Sequence, residues 1–233
     1  MIKNSGQFKR RYSINEHFFD IIGEEQAWLL GLLAADGCIR NDRLIILAQS
    51  HDYGRILIKT VQQILGHNGN ILQNRESFSI VFTSTVIVKR LAQFNIIPRK
   101  SLIYKFPELL LPERYAAFIR GYIEGDGSTG VYKIGNSKAV PIISFVGTFD
   151  FISSCKNIIP TSGTYRLIKH ARNLAELRYV GQKALDFSKW IWANPLLPIT
   201  RKQKTIDCFF NNHSPRYIQN KDLRLKAKIM LQD

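Results

Sequence analysis

The chain of 233 residues carries 33 Lys and Arg against 18 Asp and Glu, which gives a formal charge of +15 at pH 7. This excess of positive charge is typical of proteins that bind a polyanion, and it favours nucleic acid as the partner. No apolar run approaches the roughly 18–20 residues of a membrane-spanning helix, and the N-terminus lacks a signal-peptide core. We therefore expect a soluble, intracellular protein, in the cytoplasm or nucleoid of a prokaryote or phage host, or in an organelle matrix.

The first predicted element is a buried helix that ends in a carboxylate. The segment Gly31-Leu-Leu-Ala-Ala-Asp36-Gly37 overlaps an apolar run from Trp28 to Ala35. We predict a helix that carries Asp36 on its last turn and that Gly37 closes in the left-handed cap conformation. A carboxylate at this end opposes the helix dipole, so the charge is expected to serve a purpose.

Strands and helices alternate after this motif, and together with it they predict a first half of αββαββα order. The predicted strands are Cys38–Arg40, Arg43–Gln49, Asn70–Arg75 and Phe78–Thr83, and the helices are Tyr53–Leu65, with Asp52 as N-cap, and Thr85–Phe94. Two prolines bracket the stretch Pro107 to Glu113, which predicts a boundary there. We assign residues 1–107 to the first half and 108–113 to a linker.

A second copy of the motif follows 90 residues after the first (126 − 36). It reads Gly121-Tyr-Ile-Glu-Gly-Asp126-Gly127, and Arg120 just before it is expected to face solvent. Each motif carries small residues four apart, on one helical face, so the two helices can pack closely. Asp36 and Asp126 would then meet, and their repulsion would be relieved by divalent cations. Hard oxygen ligands at one point suggest magnesium.

The order of elements recurs after the second motif. The predicted strands are Val131–Ile134, Pro141–Gly147, Thr164–His170 and Ala175–Val180, and the helices are Phe151–Ile159, capped by Asp150, and Gln182–Trp192. The predicted fold class is thus α+β, with two pseudo-symmetric αββαββα halves, each holding one antiparallel sheet, packed through the two motif helices. Residues 114–214 form the second half, and residues 215–233 form a basic tail that packs on this half or touches phosphate.

The two motifs resemble the signature of a known family. Leu29-Leu-Gly-Leu-Leu-Ala-Ala-Asp-Gly37 and Ile119-Arg-Gly-Tyr-Ile-Glu-Gly-Asp-Gly127 are similar to the LAGLIDADG sequence. The double copy resembles the monomeric LAGLIDADG homing endonucleases, from about Tyr12 to His213. One departure is visible, since the first acidic position holds Glu124 in the second motif but Ala34 in the first.

The resemblance implies the roles of several residues. The last aspartate of each motif would bind metal, with help from the preceding backbone carbonyls, at Asp36, Asp126, Ala35 and Gly125. Lys100 and Lys202 stand where the family places a catalytic lysine. The position that helps to order the attacking water falls on Gln49 or Ser50 in the first half and on Thr148 in the second.

The solvent face of each predicted sheet is expected to read DNA in the major groove. The candidate DNA-binding residues on the strands are Arg40, Arg43, Gln49, Asn70, Asn74, Arg75, Lys133, Ser144, Arg166, Lys169, Glu176 and Arg178. Two sheets with different polar residues would read an asymmetric site, whereas a homodimer would read a palindrome. The resemblance likewise implies a long, asymmetric double-stranded target and a monomeric protein.

The predicted function is site-specific hydrolysis of one phosphodiester bond in each DNA strand with Mg²⁺. We expect Mn²⁺ to substitute, and Ca²⁺ to support binding without cleavage. Two alternatives use the same scaffold: a maturase that binds a group I intron RNA, and a non-cleaving DNA-binding regulator. The presence of both aspartates favours the nuclease.

Overall fold

The computed structural model describes residues 12–133, 139–168, 171, 173–193 and 200–211. Among these residues no helix is both long and apolar enough to cross a membrane. The elements follow in the order α1 (Glu24–Asp36), β1 (Gly37–Arg40), β2 (Leu44–Ser50), α2 (His51–Ile64), β3 (Leu72–Asn74), β4 (Ser77–Thr83), α3 (Thr85–Gln93), α4 (Tyr115–Asp126), β5 (Gly127–Lys133), β6 (Ala139–Thr148), α5 (Phe149–Ile158), β7 (Thr164–Leu167), β8 (Leu174–Val180), α6 (Gln182–Ile191) and α7 (Arg201–Asn211).

The strands form two antiparallel sheets of the same topology. The first has the order β1-β2-β4-β3 and the second β5-β6-β8-β7. Gly37 pairs with Leu47 in the first sheet, and Gly127 pairs with Phe145 in the second. Leu47 and Phe145 are therefore equivalent, and the predicted α+β fold of two pseudo-symmetric halves is confirmed.

Each sheet buries one face and leaves the other open. In β4 the residues alternate between buried Phe78, Ile80 and Phe82 and more exposed serine, valine and threonine. Such a period of two packs one face on the helices and leaves the other for solvent or a partner. Every fully buried Ile or Phe contributes about 1.5–3 kcal/mol through the apolar surface it removes from water.

The two halves meet through α1 and α4, whose backbones touch at two glycines. A Cβ built on Gly31 would lie 1.9 Å from the carbonyl oxygen of Phe118, and one built on Gly121 would lie 1.9 Å from that of Trp28. At the start of the helices, Arg114 Nη1 lies 2.7 Å from Glu24 Oε1. The predicted close packing is present, and its cause is the absence of a side chain at these positions.

The conformation predicted for the glycines after the motifs is wrong. Gly37 has φ −69° and ψ 137°, and Gly127 has φ −80° and ψ 157°, so both are extended rather than left-handed. Each begins a strand directly after the helix. A Cβ on Gly37 would lie 2.5 Å from the Leu33 carbonyl oxygen, and one on Gly127 equally close to that of Ile123, so the requirement for glycine is steric.

Two predicted helix caps are also wrong. Helix α2 starts after Ser50 and α5 after Thr148, so each cap residue lies two residues before the predicted caps Asp52 and Asp150. The cause is the adjoining strand, which stays paired up to the cap residue itself, as in the pairing of Thr148 with Leu174.

Arg120 does not face solvent as predicted. It is 1% exposed, and its Nη2 lies 3.4 Å from Gln203 Oε1 on α7. Helix α7 was not predicted, and it covers the side of the second half on which Arg120 lies. Ile134, which was predicted to end a strand, and the basic tail 215–233 lie outside the described residues.

Candidate active site

The two motif aspartates are the last residues of α1 and α4. The helix ends meet there, because a Cβ on Gly125 would lie 2.4 Å from the Ala35 Cβ and 2.7 Å from Asp36 Oδ2. Burial raises the pKa of the Asp36 carboxyl. Burial and the negative charge of Asp36 together raise the pKa of Asp126. The structure thus brings two like charges together at the point where both helix dipoles are negative.

Gln49 holds the first carboxylate in place. Its Nε2 donates a hydrogen bond to Asp36 Oδ2 at 2.5 Å. Gln49 is the next-to-last residue of β2, so its position is set by the pairing of that strand with β4. Asp126 has no such partner, since no side chain in the described part of the chain donates a hydrogen bond to it.

Lys100 and Lys202 both lie beside the helix ends. Lys100 is 5% exposed, and its Nζ donates to the carbonyl oxygen of Gly37 at 2.5 Å. Lys202, in the first turn of α7, donates to the carbonyl oxygens of Ile123, Glu124 and Gly125 at 2.5, 2.7 and 2.9 Å. The three protons of this ammonium match the three carbonyls at the end of α4, so its charge offsets the helix dipole.

Each lysine is coupled electrically to both aspartates. Burial lowers the pKa of Lys100, while the negative charges of Asp126 and Asp36 oppose this shift. Burial likewise lowers the pKa of Lys202, and the charges of Glu124, Asp36 and Asp126 oppose it. The four charged groups therefore form one cluster to which both halves contribute.

A buried carboxylate lies behind this cluster in the second half only. Glu124 is 4% exposed and accepts a hydrogen bond from Thr200 Oγ1 at 2.6 Å. Burial raises the pKa of Glu124. Glu124, Thr200 and Lys202 line a cavity of about 50 Å³ together with Gln49 of the first half. Because Ala34 stands at the position of Glu124 in the first motif, the two halves differ here.

The donor set fits a hard divalent cation. The described residues contain no group of three or more His, Cys, Asp and Glu side chains that could hold a metal. Two adjacent carboxylates with backbone carbonyls beside them offer only oxygen, which Mg²⁺ and Ca²⁺ prefer. A cation would also offset the repulsion by Asp36, which adds to burial in raising the pKa of Asp126. The carbonyl of Gly125 accepts from Lys202, so this predicted ligand has another partner in the structure.

Three solved structures that share this fold each contain bound DNA. The LAGLIDADG homing endonuclease I-LtrWI, bound to target DNA, superposes with a TM-score of 0.57 and 13% identity over 94% of this chain and 92% of that chain. The chain has the LAGLIDADG homing endonuclease fold. The meganuclease I-AabMI, bound to uncleaved DNA, gives 0.56 and 13% over 91% and 92%. The meganuclease I-SmaMI, bound to uncleavable DNA, gives 0.55 and 10% over 90% and 97%.

Sequence comparisons add nothing to this result. No family model matches the sequence, and no curated protein matches it significantly. The two motifs are thus the part of the sequence that indicates the LAGLIDADG fold, and the structure extends the likeness to nearly the whole chain.

Thr148 is not brought to the carboxylates within this LAGLIDADG fold. Its hydroxyl caps α5 by accepting from the Phe151 amide at 3.2 Å, and it donates to the carbonyl oxygen of Tyr104. Strand register makes Ser50 the equivalent of Thr148, so the equivalent of Gln49 is Gly147. A Cβ on Gly147 would lie 3.0 Å from the Tyr122 hydroxyl, which donates to Val146 O at 2.9 Å.

The predicted DNA-binding residues occupy several kinds of position. Strand alternation places Arg40, Asn74, Ser144, Arg166, Glu176 and Arg178 on the solvent faces of the sheets. Arg43 and Arg75 lie in turns, Asn70 lies before β3, and Lys133, at the end of β5, has the parity of the core face. Gln49 is bonded to Asp36, and Lys169 lies outside the described residues.

The difference between Gln49 and Gly147 is already visible in the sequence. The best internal alignment, of His51-Asp52-Tyr53 with Phe149-Asp150-Phe151, already sets these two residues opposite one another. The second half thus lacks an amide side chain at the site where the first half holds Asp36. No comparable signal marked Thr200, because its contact with Glu124 depends on the unpredicted helix α7.

Proposed function

We propose that the protein is a monomeric LAGLIDADG homing endonuclease, encoded with an intron or free-standing, that cleaves both strands of a long asymmetric DNA target with Mg²⁺. The observation that carries the proposal is the pair of carboxylates, Asp36 and Asp126, at the touching ends of two helices. The fold neighbours, whose structures contain DNA, support it. The proposed units are residues 1–107, the linker 108–113, residues 114–214 and the tail 215–233.

The net charge of +15 supports the DNA partner. Phosphate contacts by lysine and arginine would supply most of the affinity, and base contacts on the sheet faces would supply the specificity. In this arrangement the solvent faces of the two sheets lie in the major groove on either side of the carboxylates. Each scissile phosphate would then sit near one helix end.

The chain's own residues would act by position and charge. Asp36 and Asp126 would hold the divalent cation, and Gln49 would keep the Asp36 carboxylate in one orientation while its side-chain carbonyl oxygen accepts a hydrogen bond from water. A bound divalent cation would lower the pKa of water and stabilise the negative charge on the leaving oxygen. Lys100 would stabilise the negative charge that develops on the phosphate. Lys202 would act as a positioning residue, because its three protons already bond the end of α4.

Cleavage of plasmids that carry random or host-locus inserts tests this proposal. Wild type, Asp36→Asn, Asp126→Asn and the control Asp42→Asn are compared with Mg²⁺ and with Ca²⁺. Asp42 is a matched control because its φ of +52° suits Asn equally well and the substitution removes one negative charge. We expect linear product only with Mg²⁺ and only from wild type and the control.

Other outcomes point to the other functions. Binding without cleavage under every condition would support a non-cleaving regulator. Stimulation of group I intron splicing that persists in both Asp→Asn variants would support a maturase. Double-strand cleavage by Asp126→Asn at the wild-type rate would show that the carboxylates are misassigned.

A further inference from the structure

The solvent faces of the two sheets differ at equivalent positions close to the carboxylates. Because Leu47 and Phe145 are equivalent, the register pairs each residue of one face with a residue of the other. On each solvent face, one row of cross-strand neighbours starts at the residue two positions after the motif aspartate and continues onto the next two strands. In the first sheet it is Cys38, Ile46 and Val81, and in the second it is Ser128, Ser144 and Arg178.

The next row shows the same contrast. It consists of Ala48, Ser79 and Leu72 in the first sheet and of Val146, Glu176 and Arg166 in the second. The first sheet thus carries no charge in either row. The second carries three charged side chains at positions that are apolar or neutral in its counterpart.

Arg178 is set apart from the other two charges of the second sheet. Glu176, two residues before it on the same face, is bound by Arg166, whose Nη2 lies 2.7 Å from Glu176 Oε2. The Nε of Arg178 is buried, and no group in the described part of the chain accepts a hydrogen bond from it. Arg178 therefore lies on this face with one guanidinium donor, its Nε, that no group in the described part of the chain uses.

The two kinds of face suit different base pairs. An arginine in the major groove bonds the O6 and N7 of guanine in a bidentate manner, whereas apolar side chains contact the methyl group of thymine. If the sheets bind DNA as proposed above, the base pairs nearest the carboxylates meet Arg178 on one side and Ile46 with Val81 on the other. Leu72, which is 53% exposed, extends the apolar surface of the first sheet outward.

We propose that the target is asymmetric in composition around the cleavage centre. Arg178 specifies a guanine in the half-site bound by the second sheet, and Ile46 and Val81 favour thymine, hence A·T pairs, at the related positions of the first half-site. This inference rests on the proposed function for the orientation of the DNA. It adds the class of base that each half recognises.

Selection from a library of randomised duplex DNA tests the proposal without cleavage. The protein is incubated with the library in Ca²⁺, and the bound duplexes are sequenced for wild type and three variants. Arg178→Gln should exchange the guanine preference for adenine, since glutamine pairs with adenine in the major groove. Arg178→Lys should keep the affinity for random duplex and its salt dependence. Because an ammonium lacks the planar fork of the guanidinium, it should lose about tenfold to a hundredfold in discrimination for guanine.

The reciprocal variant is Val81→Arg, which transfers the arginine to the equivalent strand position of the first sheet. It should create a guanine preference in the A·T-rich half-site, at the position related by the pseudo-twofold axis. Melting temperatures close to wild type exclude misfolding as the cause, and both substituted residues are partly exposed.

Three results would overturn the inference. The first is that the duplexes bound by wild type share no guanine that depends on Arg178. The second is that they carry G·C pairs at the positions assigned to Ile46 and Val81. The third is that Arg178→Gln leaves the base preference unchanged. If these occur while the protein still binds and cuts DNA, the proposed function stands and only the base assignment fails. If the protein binds no duplex at all, both fail together.

Discussion

The contact between α1 and α4 makes Gly121→Ala a demanding test of the packing. A Cβ at this position would lie 1.9 Å from the carbonyl oxygen of Trp28. Ordinary contact begins at 3.4 Å, so the helices must separate by about 1.5 Å. The obstructing atom is backbone and cannot be moved by a rotamer change, which places the cost at the upper end of overpacking, about 3 kcal/mol.

Part of this cost is offset within α4 itself. Alanine is favoured over glycine inside a helix by about 0.5–1 kcal/mol, so the net loss in the free energy of unfolding is about 2 kcal/mol. For a protein of this size that loss lowers the melting temperature by about 4–8 °C. The separation also moves Asp126 away from Asp36, and a misplacement of about 1 Å at a catalytic centre costs about 100-fold in rate.

Thermal unfolding followed by circular dichroism and single-turnover cleavage of a bound target measure the two effects. Gly130→Ala is the control, because the three atoms nearest to its added Cβ all belong to the Tyr132 side chain, which is 45% exposed and can turn aside. The control should melt near the wild-type temperature. A Gly121→Ala protein that melts no lower than wild type and cleaves at full rate would refute direct backbone contact between the helices.

Three further substitutions test the electrostatics and the roles of single residues. Asp126→Asn should have a higher melting temperature than wild type at pH 7 in EDTA. The pKa of Asp126 is raised on folding, so wild type loses stability as the pH rises from the unfolded-state pKa of about 3.9 through the folded-state pKa. At pH 3 the two proteins should melt at the same temperature, and a gain in melting temperature that persists there would exclude charge as its cause. Lys202→Met should lower the free energy of unfolding in urea by about 2 kcal/mol, since three carbonyls lose a charged donor; an unchanged urea midpoint would show that these bonds do not stabilise the helix end. Thr148→Val should cost about 1 kcal/mol through the lost cap of α5 and leave the single-turnover cleavage rate unchanged; a large fall in that rate at an unchanged melting temperature would instead support the catalytic role predicted from the sequence.

The repeated motif was the main basis for predicting the fold. Small residues four apart predicted the packed helices, and the aspartate at the end of each run predicted where the carboxylates meet. These inferences hold because they depend on local spacing. The cap residues failed because an aspartate is equally suited to the cap and to the first turn, and the strand pairing at Thr148 decides between them.

The parts of the site that escaped prediction depend on contacts between distant segments. Arg120 contacts Gln203 of α7 and Glu124 contacts Thr200 just before that helix, and both contacts span more than seventy residues of sequence. The catalytic role implied for Lys202 stays a prediction, and its bonds to the end of α4 depend on the path of the chain after α6. Spacing along the chain contains no information on such contacts.

The meeting of α1 and α4 has the form of a twofold dimer interface within one chain. Gly31 meets the carbonyl of Phe118 and Gly121 meets that of Trp28, and both partners stand three residues before the glycine of their own helix. The two halves therefore use equivalent residues on both sides of the interface, as in an isologous dimer. Mutations on one sheet face leave this interface untouched, so the two sheet faces can diverge in sequence while the helix packing is kept. Recombination with the half of another protein that keeps the glycine and its carbonyl partner should preserve the alignment of the carboxylates and, under the proposed function, yield a new pair of half-sites.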